Sequence, residues 1–144
     1  MAEAAGAGPA TTFQWPVRVY WEDTDAGGIV FYANYLKFFE RARTERLRSR
    51  GISQARLRET TGGIFVVSDT QLRYLNPAHL DDELLVTAQA FEIGRASLTI
   101  GQRALRQTPD GPVLLCEGSI RIGWVDAERH RPARIPLTVL EALT

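Results

Sequence analysis

Residues Glu22 to Arg46 read EDTDAGGIVFYANYLKFFERARTER, and the fold turns on how this stretch is divided. Its first half is an acidic, glycine-containing loop; its second is an amphipathic helix, with no linker between them. From about Phe31 the apolar residues Tyr32, Tyr35, Leu36, Phe39, Ala42 and Leu47 recur at three- and four-residue spacing. Lys37, Arg41, Glu45 and Arg48 fall on the opposite face, with Arg41 and Glu45 spaced for an i,i+4 pair. The carboxylate of Asp25 therefore lies a few residues before a helix N-terminus, where unpaired backbone N–H groups gather. A fixed anion beside amide donors is the equipment of acyl transfer: one group attacks a carbonyl or activates water, the others hold the oxyanion. Asp25 also has a plainer reading as a helix cap or turn residue.

Outward from this stretch the chain reads as strands. Residues 13–21, FQWPVRVYW, have strand composition, with Pro16 pointing to an edge or an irregular start. Gly51 is suited to close the long helix, and SQARLRET (53–60) predicts a short second helix behind a serine cap. Four strands are expected thereafter: Ile64 to Leu75, Glu83 to Ile93, Arg95 to Gln107 and Val113 to Val125. Short turns, including TPDG at 108–111, make the last three an antiparallel meander. A short helix is expected after Pro136. One long helix against about five antiparallel strands is an α+β domain whose curved sheet wraps the helix. Its free sheet edges call for a second subunit, so at least a dimer is expected, as a homodimer or a homotetramer.

Composition narrows the function classes. The 144 residues suit one domain, read here as 13–144 behind a disordered arm over 1–12. Seventeen basic residues balance seventeen acidic ones, so no net charge favours nucleic acid or an anionic membrane. No apolar run is long enough to span a bilayer. Cys116 is the only cysteine, which excludes an intrachain disulfide and fits the reducing cytoplasm. With only His79 and His130 beside it, the chain makes a poor metal set, and no cofactor is expected. His79 reads as a solvated loop residue and Cys116 as a small core residue. No serine lies in a G-x-S-x-G context, which disfavours a hydrolase triad.

The segment WPVRVYWEDTDAGGIVFYANYLKFFERARTERLR, continued by YLNPAHLDDELLV, closely resembles the hotdog-fold acyl-CoA thioesterases associated with the Tol-Pal envelope system. It resembles the 4-hydroxybenzoyl-CoA thioesterases more distantly. The shared pattern, D-x-D-x-x-G-x-V/I followed by aromatics and A/P-N-Y, implies that Asp25 is the catalytic carboxylate. It also implies that helix-start amides around Phe31 to Ala33, Tyr32 foremost, polarise the thioester carbonyl. Many Tol-Pal-type members carry His where this chain has Tyr32, while the hydroxybenzoyl type carries Tyr; only backbone donation by Tyr32 carries over. Gly28 is expected to let the acyl group approach the backbone closely, and Phe31 to line its path. Arg95 and Ser97 are candidates to contact the phosphates of coenzyme A. Asp23 and Thr24 are expected to shape the loop. An acyl carrier protein as thioester donor, and a non-catalytic thioester-binding module, are the competing readings.

Overall fold

The chain's long helix lies in the hollow of an antiparallel sheet. A computed structural model describes residues 12–144, so the arm expected over the first residues falls outside the described part. The strands are β1 (Gln14–Arg18), β2 (Gly63–Tyr74), β3 (Glu83–Thr87), β4 (Gln89–Phe91), β5 (Ser97–Thr108) and β6 (Gly111–Asp126). The helices are α1 (Tyr35–Ser49), α2 (Gln54–Thr61) and α3 (Leu137–Leu143). Sheet order is β1-β3-β5-β6-β2, with β4 also on β5, and every pairing is antiparallel. This is the α+β hotdog arrangement.

Packing follows the apolar stripe of α1. Phe38, Phe39 and Ala42 are fully buried, and Tyr35 and Leu47 nearly so, against β1, β3, β5 and α3. Burying two phenylalanines contributes about 1.5–3 kcal/mol each, so α1 owes its stability mainly to the sheet. Tyr32 and Leu36, assigned to the same stripe by spacing, stay exposed at 63% and 42%. Glu45 pairs with Arg48 and not with Arg41, which lies over the Phe38 ring at 5.9 Å. Ser53 caps α2 as expected, its hydroxyl accepting from the Arg56 N–H at 3.4 Å.

The strand expected over Glu83 to Ile93 is broken at Ala88, and side chains explain the break. Buried Arg46 donates to the Ala88 carbonyl. Gln102 Nε2 donates to the Thr87 carbonyl at 3.0 Å, and Thr87 Oγ1 accepts from the Arg103 N–H at 3.0 Å. Ladder bonds at these residues are thus replaced by side-chain bonds, and β3 and β4 pair with β5 on either side of the gap. The edge strands also differ. β1 is short and carries Pro16, whereas β2 is long and, among the described residues, its outer edge is open. Among the described residues, no helix is long and apolar enough to cross a membrane.

Two buried acids lie at one end of the core. Burial, reinforced by Glu117, pushes the Cys116 thiol from 9.0 up to about 12. Burial, reinforced by Cys116, pushes the Tyr35 hydroxyl from 10.0 up to about 12. The folded chain keeps both protons where the unfolded chain releases them, so stability is complete below about pH 9 and falls as pH rises toward 12. The urea midpoint should therefore decline between pH 9 and 11, and less steeply in Cys116→Ala. A midpoint flat across that range would contradict this assignment.

Candidate active site

The site is assembled around a buried, hydrogen-bonded carboxylate. Asp23, 4% exposed, accepts from the Tyr20 N–H through Oδ2 and from Asn34 Nδ2 through Oδ1, both at 2.8 Å. Its carbonyl takes the Phe31 N–H at 2.9 Å, and Thr24 bridges Val30. These bonds lay the Asp25 loop alongside the entry to α1. A further bond, from the Val30 N–H to the Ala78 carbonyl at 2.9 Å, ties the same segment to the turn before β3. Asp23 and Thr24 thus shape the loop, as expected.

Within the loop the Asp25 backbone closes a tight turn: its N–H donates to the Ile29 carbonyl at 2.8 Å and its carbonyl accepts from Gly28 at 3.0 Å. Gly28 has φ +82°, a conformation costly for any residue with a Cβ. Asp25 Oδ1 accepts from the Gly27 N–H at 2.9 Å and the Ile29 N–H at 3.4 Å. Oδ2 has no hydrogen-bond partner among the described residues. One carboxylate oxygen is anchored and the other is free, on the surface of the single chain.

The helix start differs from its sequence reading. α1 begins at Tyr35, preceded by a 3₁₀ turn over Tyr32–Asn34. Phe31 stays extended at φ −60°, ψ 132°, because its own N–H is held by Asp23. That bond removes Phe31 from the expected set of free donors. The amides of Tyr32 and Ala33 have no acceptor among the described residues, as befits a first turn. Phe31 and Tyr32 side chains pack against each other, centroids 4.9 Å apart, both substantially exposed.

Asp25, Gly28, Phe31 and Tyr32 are therefore brought together, and Arg95 and Ser97 are not. Arg95 is exposed, and Ser97 Oγ accepts from Arg121 Nη2 at 3.0 Å. Ser97 pairs with Gly123, while Arg106 pairs with Leu84 beside the turn that meets the Asp25 loop. Nine steps of β5 at about 3.3 Å separate these ends. His79 contributes backbone, not ring: its main chain bridges Ile29, and its N–H donates to Asp82 Oδ2 at 2.9 Å. Cys116 is fully buried. Among the described residues no group of three or more His, Cys, Asp or Glu gathers to hold a metal.

Three features escaped the sequence reading. Asn34 couples the helix start to Asp23, and its signal was the Asn-Tyr pair just ahead of the buried stripe. Tyr74, at the end of β2, donates its hydroxyl to the Tyr32 carbonyl at 3.0 Å, a contact across 42 residues that leaves no local trace. A groove of about 160 Å³ lies between α1 and β2, with Phe65, Val66 and Leu47 among its apolar walls and Arg43 in its lining. Arg43 Nη1 is fixed on Gln102 Oε1 at 2.8 Å, and burial lowers its pKa. The groove does not include Asp25 or Tyr32.

Residues 19–143 match the sequence profile of the thioesterase-like superfamily. The chain is 41% identical over 130 residues to the acyl-CoA thioesterase YbgC of Haemophilus influenzae, covering 90% of this chain and 93% of that protein. It is 39% identical over 130 residues to the acyl-CoA thioester hydrolase YbgC of Escherichia coli O6:H1, covering 90% and 94%. Among solved structures, a hypothetical protein from Aquifex aeolicus superposes with a TM-score of 0.82 at 30% identity, covering 92% and 99%. The 4-hydroxybenzoyl-CoA thioesterase in complex with 4-hydroxybenzoyl-CoA gives 0.85 at 21% identity, covering 94% and 100%; that likeness is one of fold.

The buried carboxylate gives the site a direct test. Asp23→Ala leaves the Tyr20 N–H and the Asn34 amide without their acceptor, at a cost of about 2–4 kcal/mol. Urea denaturation should register that loss, and turnover should fall with it. An Asp23→Ala protein of wild-type stability would show that the loop holds itself without this residue.

Proposed function

The chain belongs to the thioesterase-like superfamily and hydrolyses acyl-CoA thioesters, and on that premise we propose that Asp25 supplies the reacting carboxylate and the Tyr32 and Ala33 amides the oxyanion site. The observation that carries the reading is the asymmetry of Asp25: Oδ1 is held by two loop amides, and Oδ2 has no partner among the described residues. A carboxylate fixed in this way reacts from a defined direction without reorganising. Oδ2 either attacks the thioester carbon, giving a mixed anhydride that water then cleaves, or takes a proton from water as the water attacks. In both routes the carbonyl π electrons move onto oxygen, the amides donate to that oxyanion, and collapse expels coenzyme A as its thiolate.

Little else is required. A thiol of pKa about 8.5, judged from cysteine, leaves without a dedicated proton donor. Each oxyanion donor is worth about 10²–10³ in rate. Asp25→Asn, which keeps the side chain's shape and removes its charge, should lower kcat by about 10²–10⁴ with the circular dichroism spectrum unchanged. Near-wild-type turnover on acyl-CoA would remove Asp25 from the chemistry. Matched acyl-CoA and acyl-carrier-protein substrates assayed side by side identify the carrier.

The enzyme acts as a homodimer joined through β2. The support is the long open edge of that strand, with Val67 54% exposed, beside a β1 edge already blunted by length and Pro16. Antiparallel pairing of two β2 strands lays the Gly63 end of one against the Tyr74 end of the other. The groove beside Phe65, and the end of the sheet bearing Arg95 and Ser97, then approach the partner's Asp25 loop. Coenzyme A and the acyl group would be shared between subunits. Val67→Lys sets like charges near the two-fold axis and should shift sedimentation from dimer to monomer, with activity falling in parallel. A wild-type protein that sediments as a monomer at micromolar concentration would exclude the arrangement. The reduced, buried Cys116 suits a cytoplasmic setting.

A further inference from the structure

The geometry points to Tyr74 as a positioning residue for the Ala33 oxyanion donor, acting through the peptide group that joins Tyr32 to Ala33. The inference rests on the reading of the 3₁₀ turn given above and adds a residue to it. A trans peptide is planar, with C=O and N–H directed oppositely, so whatever fixes the Tyr32 carbonyl also fixes the Ala33 N–H. The Tyr74 hydroxyl fixes that carbonyl, donating to it at 3.0 Å. A hydrogen bond accepted at C=O also polarises the N–H of the same group, making it a better donor.

Tyr74 is itself well held. Its backbone pairs with Cys116 in the β2–β6 ladder. Its ring stands edge-on to Tyr32, with centroids 6.1 Å apart at 87°, and lies 5.9 Å from Tyr35. Desolvation, with Cys116 and Tyr32 adding to it, raises the Tyr74 pKa, so the hydroxyl stays a proton donor at neutral pH.

The two amides of the turn are secured by different means. The peptide before Tyr32 is fixed within the turn, because the Phe31 carbonyl accepts from the Asn34 N–H at 2.8 Å. The next peptide receives the Tyr74 hydroxyl from a distant strand. Removing that hydroxyl should therefore weaken one donor of the pair and spare the other, along with Asp25.

Tyr74→Phe keeps the ring and its packing on a residue already 49% exposed. We expect kcat to fall about 10–100-fold, less than the complete loss of a donor, with KM within about twofold and an unchanged urea midpoint. Two further readouts separate positioning from general support. A trifluoromethyl-ketone analogue of acyl-CoA, whose hydrate or Asp25 adduct places a tetrahedral carbon's oxygen where the oxyanion forms, should lose affinity by the same factor as kcat. An S-alkyl-CoA thioether without a carbonyl should bind as before. Wild-type kcat in Tyr74→Phe, or an equal loss of affinity for both analogues, would overturn the inference. If Asp25→Asn remains active, the reading beneath it fails instead; if Asp25→Asn is dead and Tyr74→Phe is fully active, only the role of Tyr74 fails.

Discussion

The buried carboxylate of Asp23 is the constraint on which the site depends. Loop and helix entry are consecutive pieces of chain, and Val30 between them is the one residue of the Ile29–Tyr32 stretch that is buried in the core. Asp23 joins them by satisfying the Tyr20 N–H on one side and the Asn34 amide on the other, while its main chain captures Phe31. A carboxylate taken out of water needs such donors, since a buried acceptor left unmet costs about 1–3 kcal/mol and a charged one more. The demand runs both ways: the loop order that pins Asp25 and the turn that frees the Tyr32 and Ala33 amides satisfy the same buried charge. The two aspartates of the D-x-D pattern thus divide the labour, one structural and buried, the other exposed with one oxygen free.

Much of the fold was legible because its signals are local. The 3.6-residue stripe of Tyr35, Phe39, Ala42 and Leu47, the serine before α2, the TPDG turn and Pro16 on an edge strand each act within a few residues. What periodicity could not reveal was where the helix begins. Tyr32 has the right spacing for the stripe, yet the backbone bond from Phe31 to Asp23 holds the chain extended one residue earlier, so the helix cannot reach back to it. Of the site, the Asp25 loop and the Tyr32 turn were readable from a contiguous motif. The grouping of Arg95 and Ser97 with them was not, since their separation is set by sheet topology and not by spacing.

The break at Ala88 teaches the same lesson in the core. Arg46 occupies a buried helical position where the apolar pattern would admit an aliphatic residue, and its guanidinium is met by the Ala88 carbonyl. Gln102, buried at 2% exposure, bonds to the Phe39 and Thr87 carbonyls and accepts from Arg43. These residues form a polar seam between α1 and β5, fixing helix against sheet in one register where apolar contacts alone would permit sliding. In sequence, Arg46 is one arginine among several and Gln102 one polar residue in a strand. Only the approach of the two elements turns them into partners.

A thioester makes modest demands, and this explains the economy of the site. Because the thiolate leaves readily, the protein must chiefly stabilise the oxyanion and present a carboxylate in fixed geometry. In the proposed site main-chain amides do the first task with no special side chain, so the identity of residue 32 is unconstrained by that role. Precision must then come from whatever orients the peptide planes. Asn34 orients one from within the turn and Tyr74 the other from 42 residues away. The motif therefore points to the proposed chemistry, while the peptide planes of the turn are oriented by Asn34 inside the motif and by Tyr74 outside it.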